Sequence, residues 1–106
     1  MKNRLIEIPI PETIKIGGLD YRVRFDAESQ KELKYDSRWG CVVHSKQEIS
    51  FDIDASPQRL SEAFIHEMLH LAERNSEEDL DEKIIGRLGR GLHQIMEQLG
   101  IRFVRC

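Results

Sequence analysis

Apolar and polar residues alternate along the first half of the chain and recur at helical spacing along the second. Ile14, Ile16, Tyr21, Val23 and Phe25 are separated by polar residues on either side of Gly17-Gly18-Leu19-Asp20. Period-two alternation broken by paired glycines predicts a β-hairpin. Trp39 to Val43 and Glu48 to Ile53 are two further strand-like runs, joined by His44-Ser45-Lys46-Gln47. Ile49, Phe51 and Ile53 fall on one face of the second run. The charged segment Asp26 to Asp36 fits either a short helix or a loop.

The period then changes. Ser56-Pro57 reads as a helix start, with serine as N-cap and proline at the first helical position, where its missing N–H costs nothing. A first helix is expected from about Pro57 to Arg74, then a polar turn at Asn75-Ser76-Glu77-Glu78. A second helix should run from about Asp79 or Leu80 to Leu99, ended by Gly100. Its apolar set (Leu80, Ile84, Ile85, Leu88, Leu92, Ile95, Met96 and Leu99) has amphipathic spacing and reads as core. Ile101 to Arg105 reads as a short tail or a last strand. Strands followed by helices predict a single α+β domain over residues 1–106, its helices on one side of a small antiparallel sheet.

Composition narrows the function. A chain of 106 residues, 40% hydrophobic and 33% charged, is an ordinary globular domain with room for one modest core. The net charge of −3 is too mild to imply a partner, and no basic stripe with interleaved aromatics points to nucleic acid. No apolar run approaches a membrane span, and Met1 to Leu5 lacks a signal-peptide core. A cytoplasmic location is therefore expected. Cys41 and Cys106 are expected as free thiols, Cys41 as a small buried residue; no second thiol stands at metal-binding spacing.

The chemistry gathers at His66-Glu67-Met68-Leu69-His70, inside the apolar stretch Leu60 to Ala72. Histidines four apart lie one above the other on a helix, so both imidazoles can reach one divalent ion. The glutamate between them can hold a water that the ion polarises and act as general base, which is the zincin arrangement for amide hydrolysis. A third ligand must come from elsewhere, since one helix cannot wrap around the ion. A short turn after Arg74 makes an antiparallel helix pair and brings Glu82 near Leu71. Glu82 flanks the apolar stripe beside Gly86 and Gly89, and interior helix glycines, at roughly 1 kcal/mol each, suit close approach of the first helix. Asp81, pointing into the stripe, is the main rival. Glu78 and Asp79 read as turn and capping residues, and Glu73 as a support behind the site or a solvated acid. His93 lies about 16 Å along the helix from Glu82 and reads as a partly exposed surface histidine. His44 reads as a solvated turn histidine, or less favourably as a group overhanging the site.

Trp39-Gly40-Cys41-Val42-Val43, Gln47-Glu48-Ile49-Ser50-Phe51, Phe64-Ile65-His66-Glu67-Met68-Leu69-His70 and the segment Glu82 to Leu92 together resemble the small zincin-like metallopeptidases of phages and mobile elements. The resemblance spans Asp36 to Leu92. In the wider gluzincin pattern a glutamate on the next helix is the third ligand, with packing residues three, six and seven positions on; Glu82, Ile85, Leu88 and Gly89 match it. The resemblance implies zinc held by His66, His70 and Glu82, catalysis by Glu67, and a minimal gluzincin fold with little of the lower subdomain. Two departures stand out. Gly86 occupies the place of an acidic residue that orients a ligand histidine, and no tyrosine or histidine after Glu82 is placed to stabilise an oxyanion. The expected function is a zinc-dependent peptidase, phage- or prophage-associated, acting on a peptide or protein substrate. The alternative is a non-catalytic, zinc-stabilised binding module. A third reading has no metal, with His66 and His70 as polar members of a helix–helix seam.

Overall fold

The computed structural model describes residues 5–105. Six strands and three helices follow one another: β1 (Ile6–Pro9), β2 (Thr13–Ile16), β3 (Leu19–Arg24), α1 (Ala27–Tyr35), β4 (Gly40–Val43), β5 (Glu48–Phe51), α2 (Pro57–Asn75), α3 (Glu82–Gln98) and β6 (Ile101–Val104). This is a small α+β domain. Among the described residues no helix is long and apolar enough to cross a membrane. Cys106 lies outside the described residues; Cys41 is a free, half-buried thiol.

The larger sheet has the order β2-β3-β5-β4 and is mixed rather than antiparallel. β2 and β3 form the expected hairpin, closed by Gly17 and Gly18 alone, both at positive φ. Asp26 to Asp36 resolves as α1, after which β4 runs antiparallel to β5, and β5 inserts beside β3 in parallel register. Alternation locates strands but not their neighbours. β5 is one of the two interior strands, paired on both edges, and its alternate side chains are covered: Ile49 and Phe51 are fully buried. Ile53, expected on the same face, lies beyond the end of β5 and is exposed.

Residues near the two ends of the chain form a second, two-stranded parallel sheet, β1 with β6. The alternation of Ile6, Ile8 and Ile10 is the sequence signal for β1, a strand not expected above from the sequence. α2 lies between the two sheets. Phe64 stacks on Phe51 of the larger sheet (5.8 Å between ring centroids) and on Phe103 of the smaller (4.7 Å). The buried Ser61 hydroxyl accepts a hydrogen bond from the Phe103 N–H.

The helix limits follow from their caps. Ser56 Oγ accepts from the Arg59 N–H at 3.2 Å, and Pro57 is the first helical residue, as expected. The start of the second helix does not match: Asp81 is its N-cap, its Oδ1 accepting from the Lys83 N–H at 2.7 Å. Asp81 therefore neither points into the apolar stripe nor reaches the histidines. A short carboxylate at this position satisfies a backbone N–H that has no partner within the helix, which fixes its role. The stripe of α3 is also not all core. Ile85 and Gly89 are buried, while Leu80, Ile84, Leu88, Ile95 and Leu99 are exposed.

Candidate metal centre

The end of α2 brings the site together. Glu77 takes a left-handed conformation (φ 58°), its N–H bonding to the Arg74 carbonyl and that of Glu78 to the Glu73 carbonyl. These two bonds close α2 in a Schellman arrangement and turn the chain back. The Glu73 side chain serves both sides of this turn. One oxygen accepts from the Leu80 N–H, and the other lies 3.2 Å from His70 Nδ1. The chain thus re-enters α3 with Glu82 in its first turn, facing the histidines.

His66 Nε2 is 2.9 Å from Glu82 Oε1, His70 Nε2 is 3.1 Å from Glu82 Oε2, and the two Nε2 atoms are 3.2 Å apart. Ligand atoms about 2.0–2.1 Å from one tetrahedral ion stand about 3.3 Å from one another, so the three groups are gathered at nearly that spacing. With Glu73 engaging Nδ1 of His70, the lone pair of that ring is left on Nε2, the atom that faces the cluster. The donor set fits a divalent ion of the zinc type. Glu73 also supplies, from α2 itself, the carboxylate support that Gly86 on α3 cannot. A glutamate three residues after the second histidine was the available signal for that role.

Glu67 lies on the buried flank of α2, 6% exposed. Burial pushes its carboxyl up to about 7, partly opposed by the positive field of His70 and reinforced by Glu82. Gly40, at the start of β4, makes room for it. A Cβ there would stand 3.2 Å from Glu67 Cγ and Oε2 and 3.2 Å from the Phe51 ring. Both ends of this carboxylate's environment are fixed, one by the core and one by an open cleft.

That cleft, about 530 Å³, runs between β4 and α2 and reaches His66, Glu67, His70 and Glu82. His44 lines it too, in the tight turn between β4 and β5, and is not the solvated histidine expected. Its Nδ1 is 3.0 Å from the hydroxyl of buried Tyr21, and burial lowers its pKa. The Tyr21–His44 pairing links strands far apart in sequence, so no local pattern announced it. Trp39 and Arg59, also missed, form the far wall, with the guanidinium carbon 4.8 Å from the ring centroid. His93 is half-buried, its Nδ1 without a hydrogen-bond partner among the described residues, and takes no part in the site. Of the three glycines in α3, only Gly89 faces α2, where a Cβ would be 3.6 Å from the His66 Cα; at Gly91 it would meet nothing within 4 Å. Gly86 faces open space but for Arg90 at 3.9 Å.

No family model matches the chain, and no curated protein or solved structure matches it either, so the zincin-like resemblance rests on the residues themselves.

Proposed function

We propose that the protein is a metal-dependent peptidase of minimal gluzincin type, phage- or prophage-associated, with His66, His70 and Glu82 as ligands and Glu67 as general base. The observation that carries this reading is the convergence of His66, His70 and Glu82, whose facing atoms lie 2.9, 3.1 and 3.2 Å apart, with the buried Glu67 carboxylate lining the same cleft. A zinc ion in such a site supplies a Lewis acid for the scissile carbonyl and lowers the pKa of water. Glu67 would take the proton of the attacking water and deliver it to the leaving nitrogen, the acid–base role of a carboxylate beside such a donor set. His44, with Nδ1 turned to Tyr21, is the residue best placed to offer a hydrogen bond from the cleft wall. Glu73 holds His70 in orientation.

Purified without a histidine tag, the protein is expected to carry about one zinc per chain. Glu67→Gln should keep the metal and lose hydrolysis by about 10²- to 10⁴-fold. His66→Ala should lose the metal itself. A Glu67→Gln protein as active as wild type removes Glu67 as the base, and a metal-free wild type removes the reading altogether.

One observation favours a second reading, the zinc-stabilised binding module. α3 buries only Ile85 and Gly89, so a metal bridging α2 to Glu82 would fasten a helix that packing holds thinly. A zinc-dependent melting temperature with no turnover on any peptide would select it.

A further inference from the structure

We propose that the far end of the cleft, where Arg59 stacks on Trp39, recognises a carboxylate of the substrate about three residues from the bond that is cut, an inference that rests on the peptidase reading above. The Arg59 guanidinium lies over the Trp39 ring at 4.8 Å. A guanidinium held over an aromatic face keeps N–H groups available to grip a planar anion in bidentate fashion. Arg22, Arg24 and Arg102 each hold a carboxylate. Arg38 and Arg59 also line the cleft, and among the described residues neither is in an ion pair; Arg38 donates to Cys41 Sγ at 3.6 Å.

Spacing sets the position. Arg59 and His66 are seven residues apart on α2, so they share a face and stand about 10 Å apart along the axis. An extended peptide advances about 3.3 Å per residue, which makes that distance about three residues. Glu62 lines the same cleft one turn nearer the histidines. Its negative charge disfavours an acid there, so the wall accepts a carboxylate at its far end and rejects one closer in. An acidic side chain or the C-terminus of a peptide would present the same group.

Trp39 is the only tryptophan in the chain, so its fluorescence reports occupancy of this end directly. The probe is an alanine hexapeptide, acetylated and amidated, with one glutamate moved through each position, each compared with its glutamine twin. A free-acid hexapeptide without glutamate is compared with its amide. All are titrated into zinc-loaded Glu67→Gln protein, which cannot cut them. One glutamate position, or the free terminus, is expected to bind at least tenfold tighter than its neutral twin, and which of the two responds identifies the source. Arg59→Gln should reduce that preference to within twofold, and Arg59→Lys should restore part of it. Equal affinity for every acid and its twin, or a preference that survives Arg59→Gln, overturns the proposal. Failure of the wild type to cleave the preferred peptide would sink the peptidase reading and leave the carboxylate site standing.

Discussion

α2 and α3 pack against each other and both contribute to the His66–His70–Glu82 cluster, yet they are held in the fold very differently. α2 buries seven residues and has a sheet on either side of it; α3 buries two, and packs mainly on α2 and β6. In sequence the ranking looks reversed, because α3 has the cleaner apolar stripe. Hydrophobic period reveals which residues share a helix face; whether another element covers that face depends on topology. Here the larger sheet lies beyond α2 and leaves half the stripe of α3 open. The tightly held helix carries the buried Glu67, proposed as general base, and the loosely held one carries the exposed Glu82, proposed as third ligand.

The sharpest way to break this contrast is to truncate two apolar residues of α3 that the sequence does not distinguish. Ile85 is 1% exposed and Leu88 is 53% exposed. Ile85→Ala should cost about 2–5 kcal/mol of unfolding free energy, the usual price of a cavity in a packed seam. Leu88→Ala should stay within about 0.5 kcal/mol. Urea denaturation of the metal-free proteins measures both. A Leu88→Ala loss as large as that of Ile85→Ala would mean that the open face is covered in solution.

Glu67 tests the other side of the comparison, the burial of an acid on α2. Its folded carboxyl is pushed up to about 7 from 4.5, so it contributes stability that is complete below the lower value and lost as pH rises through the upper. In metal-free protein this amounts to roughly 3 kcal/mol between about pH 4 and pH 8, at about 1.4 kcal/mol per unit. Glu67→Gln, which has no such titration, should lack that loss and be the more stable protein at about pH 8 in the presence of chelator. Urea midpoints taken across the range compare the two. Parallel curves for wild type and variant would show that burial does not govern this carboxyl.

Much of the site could be read from the sequence because its parts are local. His66, Glu67 and His70 share one turn and a quarter of helix, and the polar turn after α2 sends the chain back toward them. Glu82 needed only the hairpin geometry of two helices. The larger sheet was legible strand by strand, but not in its order, since β5 pairs with β3 in parallel across α1 and β4, and no local pattern encodes a neighbour that far away in sequence. His44 with Tyr21, Arg59 with Trp39, and Gly40 against Glu67 all join distant segments. Each carries a residue type with an ordinary surface or turn explanation, so nothing in its neighbours marked it. Asp81 stands outside the His66–His70–Glu82 cluster because capping competes for short carboxylates at a helix start.

The smallest effects separate two glycines, one pressed against α2 and one on α3. A Cβ at Gly40 would meet the Glu67 side chain and the fully buried Phe51 ring at 3.2 Å, and the core has no slack to yield there. Gly40→Ala should therefore cost about 1–3 kcal/mol and lower any hydrolysis by displacing Glu67. At Gly86 the same methyl would meet only the flexible end of Arg90 at 3.9 Å. Gly86→Ala should instead gain up to about 1 kcal/mol, because alanine gives up less backbone freedom in a helix interior. It should also leave zinc affinity where it was, since Gly86 supports neither histidine. Thermal melts of the two single variants and their combination, with and without zinc, decide this. If Gly86→Ala destabilises the protein or weakens the metal, α3 sits closer to α2 in solution than its single packed glycine, Gly89, requires.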